Sequence, residues 1–119
     1  MLTGGRPAFT PGEQMYDFVY ITDIANGIYR AAKFGKKNTA YYIGSGHQRK
    51  LKDYIFTIRD TINPNIELFL GEMPFNGVCL ADEEFDCSKL INDTGYQAVI
   101  PFKEGIRKTV EWLKTQMET

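Results

Sequence analysis

Three short runs rich in β-branched and aromatic residues, each followed by an amphipathic stretch, constrain this chain more than any other feature. Phe18-Val19-Tyr20-Ile21, Tyr41-Tyr42-Ile43 and Ile66-Glu67-Leu68-Phe69-Leu70 read as strands. After the first, Thr22 or Asp23 is placed to cap a helix with Ile24, Ile28, Ala31 and Ala32 on one face. Gly35 stops it, after Lys33 has put a cation near the negative end of the helix dipole. Leu51, Tyr54, Ile55, Ile58 and Ile62 form the stripe of a second helix. Asn63-Pro64-Asn65 ends it, because a residue before proline is pushed out of the helical region. Ser88 is expected to cap a short helix through Asn92, ended by Gly95. Pro101 opens a last helix, in the first turn where its missing N–H is harmless. That helix's stripe is Phe102, Ile106, Val110, Leu113 and Met117, flanked by Trp112 as core or interface. Residues 1–14 read as an irregular arm and 71–84 as loop. The result is an α/β pattern (α+β if the chain is part of a longer one), a small sheet of about three short strands with three main helices. So small a sheet with exposed edges is a poor stand-alone design, which suggests that the chain is part of something larger.

Composition narrows the function. The chain has 119 residues, one domain's length, with 43% hydrophobic and 24% charged residues. Its net charge of -1 argues against a nucleic-acid binder, which carries a basic excess to displace phosphate counterions. A small phosphorylated ligand needs only one or two well-placed donors and stays compatible. Aromatic residues make up 13% of the chain, enough to fill a core and still line a pocket. Cys79 and Cys87 are too few for a disulfide framework and read as reduced cytoplasmic thiols. The single histidine, His47, is too little for a multi-histidine metal site, and it has no neighbouring nucleophile to serve as a base. No apolar run approaches the roughly 18 residues that span a membrane, and the first residues lack the apolar core of a secretory signal.

Several motifs fall short of chemistry. Gly44-Ser45-Gly46 lies between a strand and a helix, like the opening of a dinucleotide fingerprint, but the third glycine would fall at Arg49. Tyr29 and Lys33 stand four apart, the spacing of a catalytic pair in short-chain dehydrogenases. With seven tyrosines in the chain that offset arises readily by chance, so it is not taken as catalytic. Asp82, Glu83, Glu84 and Asp86 read as a solvated loop, lacking the glycine-bearing loop and distal glutamate of a calcium hand. Arg49, Lys50 and Lys52 gather at a helix start, where solvation is the default and a phosphate the functional alternative.

Taken in order, Pro11-Gly12-Glu13-Gln14, Asp17-Phe18-Val19-Tyr20-Ile21 with Asp23, Tyr41-Tyr42-Ile43-Gly44-Ser45-Gly46, Phe85-Asp86-Cys87-Ser88-Lys89-Leu90, Thr94-Gly95-Tyr96 and Phe102 through Trp112 resemble one family. They look like the C-terminal portion of an extended short-chain dehydrogenase/reductase, the NAD-dependent nucleotide-sugar epimerase/dehydratase family. The resemblance covers about positions 5 to 115. It implies that residues 1–119 are the substrate-binding portion, and that the Rossmann half with its cofactor fingerprint and catalytic Ser, Tyr and Lys lies outside this chain. It implies no catalytic, cofactor or metal residue here, and NAD or NADP in the parent enzyme. The implied partners are a nucleotide-sugar or related sugar, the missing half, and a second copy met through an uncovered apolar face. The alternative is a free-standing ligand-binding or dimerising module derived from the same family.

The family's substrate contacts, carried over by position, point to Thr10, Gln14, Tyr16, Phe18, Tyr42, Arg49 and Glu72. Three slots that are commonly polar in the family are altered. Tyr16 stands where an arginine commonly precedes the aspartate, and Tyr42 where an asparagine is common. Neither Phe69 nor Leu70 supplies the second phosphate-binding arginine. A tyrosine gives one neutral hydrogen bond and a stacking ring in place of a bidentate fork. Either Arg6 or Arg49 holds the phosphate, or the substrate is not a typical nucleotide diphosphate sugar. Asp17 and Asp23 are expected to be caps and loop anchors.

Overall fold

Each strand among the described residues is only two residues long. The structure, a computed structural model, describes residues 1–118 apart from Arg6, Asn76 and Val78. Among the described residues its mixed α/β architecture has four α-helices and two two-stranded ladders, distributed over two units.

The first unit comprises Met1–Met15, Arg49–Cys79 and the chain from Lys103 onward. In it β1 (Ala8–Phe9) runs parallel to β4 (Phe69–Leu70), with Ala8 opposite Phe69 and Phe9 opposite Leu70. The ladder is extended by a turn, since the N–H groups of Gly71 and Met73 both donate to the Phe9 carbonyl at 3.1 Å. A second ladder pairs β2 (Met15–Tyr16) with β3 (Arg49–Lys50). The helix α2 (Leu51–Ile62) follows β3 directly and buries Tyr54 and Ile55 from its expected stripe. It ends where proline geometry predicts, at Asn63. The last helix, α4 (Phe102–Met117), lies in this unit from Lys103 on and buries Gly105 and Val110. Its expected stripe stops there. Leu113, Met117 and the flanking Trp112 are exposed, Trp112 by 60%.

The second unit comprises Tyr16–Gln48 and Leu80–Phe102. Its helices are α1 (Ile21–Phe34) and α3 (Ser88–Thr94), which pack together. Its core is Leu90, Tyr96, Phe85 and Cys87, with the polar Asp23 and Thr94 enclosed among them. Asp23 is 2% exposed and does not cap α1, which begins two residues earlier after Tyr20. Its carboxylate instead accepts the backbone N–H groups of Val99 and Ile100 at 2.9–3.2 Å, fixing the chain far downstream. Gly27 is buried beside it, and a Cβ there would lie 2.8 Å from Ile43 Cγ2 and 3.2 Å from the Tyr96 ring. The face of α1 that packs inward therefore carries a carboxylate and a glycine. Ile28 and Ala32, expected in the core, are exposed.

No strand is assigned among the described residues at 18–21 or 41–43, where strands were expected, and of 66–70 only Phe69–Leu70 forms one. Such residues fit a pleated surface, but a ladder needs a second strand to share its hydrogen bonds. Ser88 opens α3 as a helical residue after Cys87, and its N–H is accepted by the Asp86 carboxylate at 2.9 Å. This bond holds the Asp86 carboxyl below its ordinary range. The acidic run Asp82–Phe85 forms one 3-10 turn, closed by Ala81 N–H donating to Glu84 Oε2 at 2.8 Å.

Candidate functional site

The arm preceding β2, expected to be irregular, carries β1 at Ala8–Phe9 and is tethered again further along. Helix α2 starts with backbone N–H groups that no helical carbonyl can satisfy. Two of them find partners in the arm. Leu51 N–H donates to the Gln14 carbonyl at 2.8 Å, and Lys52 N–H to the Gly12 carbonyl at 2.9 Å. The arm approaches so closely that a Cβ on Gly12 would lie 2.7 Å from Lys52 Cβ and 2.9 Å from its backbone nitrogen. Gly12 also has φ +74°, in the left-handed region, so this position requires glycine on two counts.

Side chains follow from that docking. Gln14 Nε2 donates to Thr10 Oγ1 at 3.0 Å, joining two of the expected substrate residues. Glu13 accepts Lys50 Nζ at 2.8 Å and Lys52 Nζ at 2.7 Å. The two ammonium groups hold its carboxyl at about 2, well below the ordinary value, and Glu13 in turn raises Lys50. Two members of the basic group at the helix start are thus neutralised internally. Arg49, the third, lies over the buried Tyr54 ring, 5.1 Å from its centroid. Glu72 sits in the turn that Gly71 and Met73 hold to Phe9, the residue before Thr10. Arg6, the other expected cation, lies outside the described residues.

In the second unit Tyr16 and Phe18 stack, with centroids 5.7 Å apart and planes 14° from parallel, and both rings are about 40% exposed. Phe102 continues the row at 5.9 Å from Phe18. Asp17, between them in sequence, organises the Gly44-Ser45-Gly46 turn. Its carboxylate accepts the Tyr42 hydroxyl and the Ser45 N–H, each at 3.0 Å, and the Ser45 hydroxyl. Tyr96 closes the turn from beneath, donating its hydroxyl to the Gly44 carbonyl at 3.1 Å. Burial pushes the Tyr96 phenol up to about 12. Asp17 and Asp23 are thus the anchors the sequence suggests, each serving backbone remote in the chain. The Tyr42 ring meets Phe85 edge-on at 6.4 Å.

An open cleft of about 530 Å³ lies between the Gly46–Gln48 segment and the 3-10 turn with the start of α3. Asp82, Glu83 and Asp86 line it beside Phe85 and Cys87, and none of the sequence-selected residues does. Three carboxylates make it a poor place for phosphate. The Cys87 thiol is pushed up by desolvation, so it is a packing residue and a weak nucleophile. Tyr29 and Lys33 do meet, with Nζ donating to the hydroxyl at 3.0 Å, but on an exposed helix face that encloses no substrate. No group of three or more metal-ligating side chains occurs among the described residues.

In fold and motif order the chain is similar to the C-terminal part of NAD-dependent epimerase/dehydratase enzymes of the extended short-chain dehydrogenase/reductase family. Among particular proteins, the chain is 29% identical over 116 residues to dTDP-glucose 4,6-dehydratase of Escherichia coli, covering 89% of this chain and 31% of that one. It is 28% identical to the Bordetella bronchiseptica enzyme WbmF, solved with NADH, with a TM-score of 0.79 over 98% of this chain and 34% of WbmF. The UDP-glucose 4-epimerase of Thermotoga maritima, solved with UDP-glucose, shares the fold at a TM-score of 0.83 and 23% identity, covering 98% of this chain and 37% of the epimerase. No protein-family model matches the chain. The chain spans about a third of the length of the relatives it matches.

Proposed function

We propose that this chain is the substrate-side portion of a sugar-nucleotide epimerase, dehydratase or reductase that uses NAD or NADP, and that alone it has no oxidoreductase or epimerase activity. The observation that carries this is the collinear match along nearly the whole chain to enzymes three times as long. WbmF has also been solved with NAD+ and UDP, which supports a nucleoside diphosphate as the ligand class. Thr10 and Gln14 in the docked arm offer neutral polar contacts, Arg49 in β3 a cation, and Glu72 in the turn after β4 an acceptor for sugar hydroxyls. The Tyr16–Phe18 pair offers a stacking face for a base or sugar, and Tyr42 the third aromatic contact. A cytoplasmic location accords with two unpaired cysteines, Cys79 and Cys87. No helix among the described residues is long and apolar enough to cross a membrane.

Calorimetric titration with UDP and dTDP, beside melting curves with NAD and NADP, tests the assignment. The cofactors are expected to leave the melting temperature unchanged, since a ligand stabilises only the state it binds. A clear cofactor-dependent rise, or turnover by the chain alone, would overturn it. In the full-length enzyme, Tyr16→Arg is expected to tighten nucleoside diphosphate binding by about 1.5–3 kcal/mol, the worth of a charged hydrogen bond. Unchanged affinity with a lower melting point would remove Tyr16 from the site. The free-standing module is favoured instead if the open reading frame carries no upstream glycine-rich fingerprint and no catalytic Tyr and Lys.

A further inference from the structure

Phosphate recognition needs cations, and the slots where the family resemblance places arginine hold Tyr16 and the Phe69–Leu70 pair. In the first unit Arg59 and Arg107 are satisfied close by in sequence, by Asp60 and by Glu104 with Glu111. Lys50 and Lys52 are instead turned onto one carboxylate far upstream. Lys50 Nζ meets Glu13 Oε2 at 2.8 Å, and Lys52 Nζ meets Glu13 Oε1 at 2.7 Å. Each oxygen takes one ammonium group, so the two lysines are set at the spacing of two oxygens of a single anion. The helix does not require this pairing. Lys50 stands at the N-cap of α2, where a lysine has no acceptor to offer, and no side chain caps there. The Leu51 and Lys52 N–H groups are met by the Gln14 and Gly12 carbonyls, on either side of Glu13. The backbone around Glu13 is thus fixed to α2 without its side chain, which can swing away by rotation alone. All three side chains reach solvent, with 56% of Glu13, 48% of Lys50 and 32% of Lys52 exposed. One carboxylate against two ammonium groups also leaves one positive charge over.

We propose that Lys50 and Lys52 form a binding site for a phosphoryl group, and that Glu13 is its internal competitor, held in the site until the phosphate of a ligand displaces it. This rests on the function proposed above and names the side chains that meet the nucleoside diphosphate. A terminal phosphoryl group carries about two negative charges at neutral pH, so it balances both ammonium groups where one carboxylate does not. The lysines act as point charges, which suits exchange between two anions better than the fixed fork of an arginine. Releasing Glu13 into water costs little, because both of its ion pairs are exposed. Thr10 and Gln14 lie on the same arm, and Arg49, next to Lys50, stays over the Tyr54 ring.

Calorimetric titration with UDP and with inorganic pyrophosphate, on the native chain, Glu13→Gln and the double variant Lys50→Ala with Lys52→Ala, tests the site. Glu13→Gln removes the competitor and keeps its shape, so both probes are expected to bind about three- to tenfold more tightly. The double lysine variant is expected to bind both about tenfold or more weakly than the native chain. Equal affinity in the native chain and Glu13→Gln would overturn the proposal, as would no binding of either probe to Glu13→Gln. A second measurement needs no variant. On saturation of the native chain with UDP, the NMR signal of the Glu13 carboxyl carbon is expected to move toward that of the solvent-exposed Glu67. UDP binding with no response at Glu13 removes the phosphoryl site and leaves the substrate role standing. Pyrophosphate binding with that response, while UDP fails to bind, keeps the anion site and removes the nucleotide reading.

Discussion

Replacing Gly12 with alanine tests how the substrate arm is held. Two costs add at this position. An L residue at φ +74° loses about 1–2 kcal/mol relative to glycine. The new methyl would also lie 2.7 Å from Lys52 Cβ and 3.0 Å from Lys52 Cα. Neither atom is the mobile end of a side chain, and the Lys52 N–H is bonded to the Gly12 carbonyl at 2.9 Å. Relief therefore requires moving the arm off the first turn of α2, at about 1–3 kcal/mol on the scale of overpacked sites. Gly46 provides the control. Its φ is +80°, but a Cβ there meets nothing within 4 Å. Alanine at Gly46 pays only the conformational cost, and the entropy that alanine removes from the unfolded chain is common to both variants. Urea unfolding of the two proteins should therefore differ by about 1–3 kcal/mol, with equal slopes. If Gly12→Ala is no less stable than Gly46→Ala, the arm is not docked on α2 as described.

Three further outcomes are expected. Asp23→Ala should lower stability by about 2–4 kcal/mol in chemical denaturation, because the Val99 and Ile100 N–H groups lose a charged acceptor; a loss within error would deny Asp23 its anchoring role. The Tyr96 phenol titrates near 10 when unfolded and about 12 when folded, so its contribution is complete below pH 10 and is lost as pH rises toward 12. Melting curves across that range should fall for the native chain and flatten in Tyr96→Phe, which has no phenol to ionise. The Glu13 carboxyl has a folded value of about 2 against an ordinary 4.5, so its contribution is present above pH 4.5 and fades as pH falls toward 2. An NMR titration should show that low midpoint, and Lys50→Ala with Lys52→Ala should return it toward 4.5.

The helices were readable because their signals are local. Asn63-Pro64 ends α2, Gly95 ends α3, and Tyr54 and Ile55 are the buried pair that a 3.6-residue period selects. Their order was enough to suggest an α/β chain and its family resemblance. Thr10 and Gln14, both carried over from the family resemblance, are joined by a hydrogen bond, and the anchoring roles of Asp17 and Asp23 were anticipated. The strands were read less well, since Tyr41-Tyr42-Ile43 specifies a pleated surface without saying whether a partner strand exists. The basic group at α2 was legible as charge, but Glu13, 37 residues before Lys50, neutralises two of its members. The side of α1 that faces the core was legible least of all. Hydrophobic periodicity puts Ile28 and Ala32 inside, and it assumes that the interior is apolar. Here the interior needs a carboxylate for two backbone N–H groups and a glycine for two approaching side chains. Both demands come from residues at least 16 positions away, Ile43, Tyr96, Val99 and Ile100, and only the folded chain brings them to the helix.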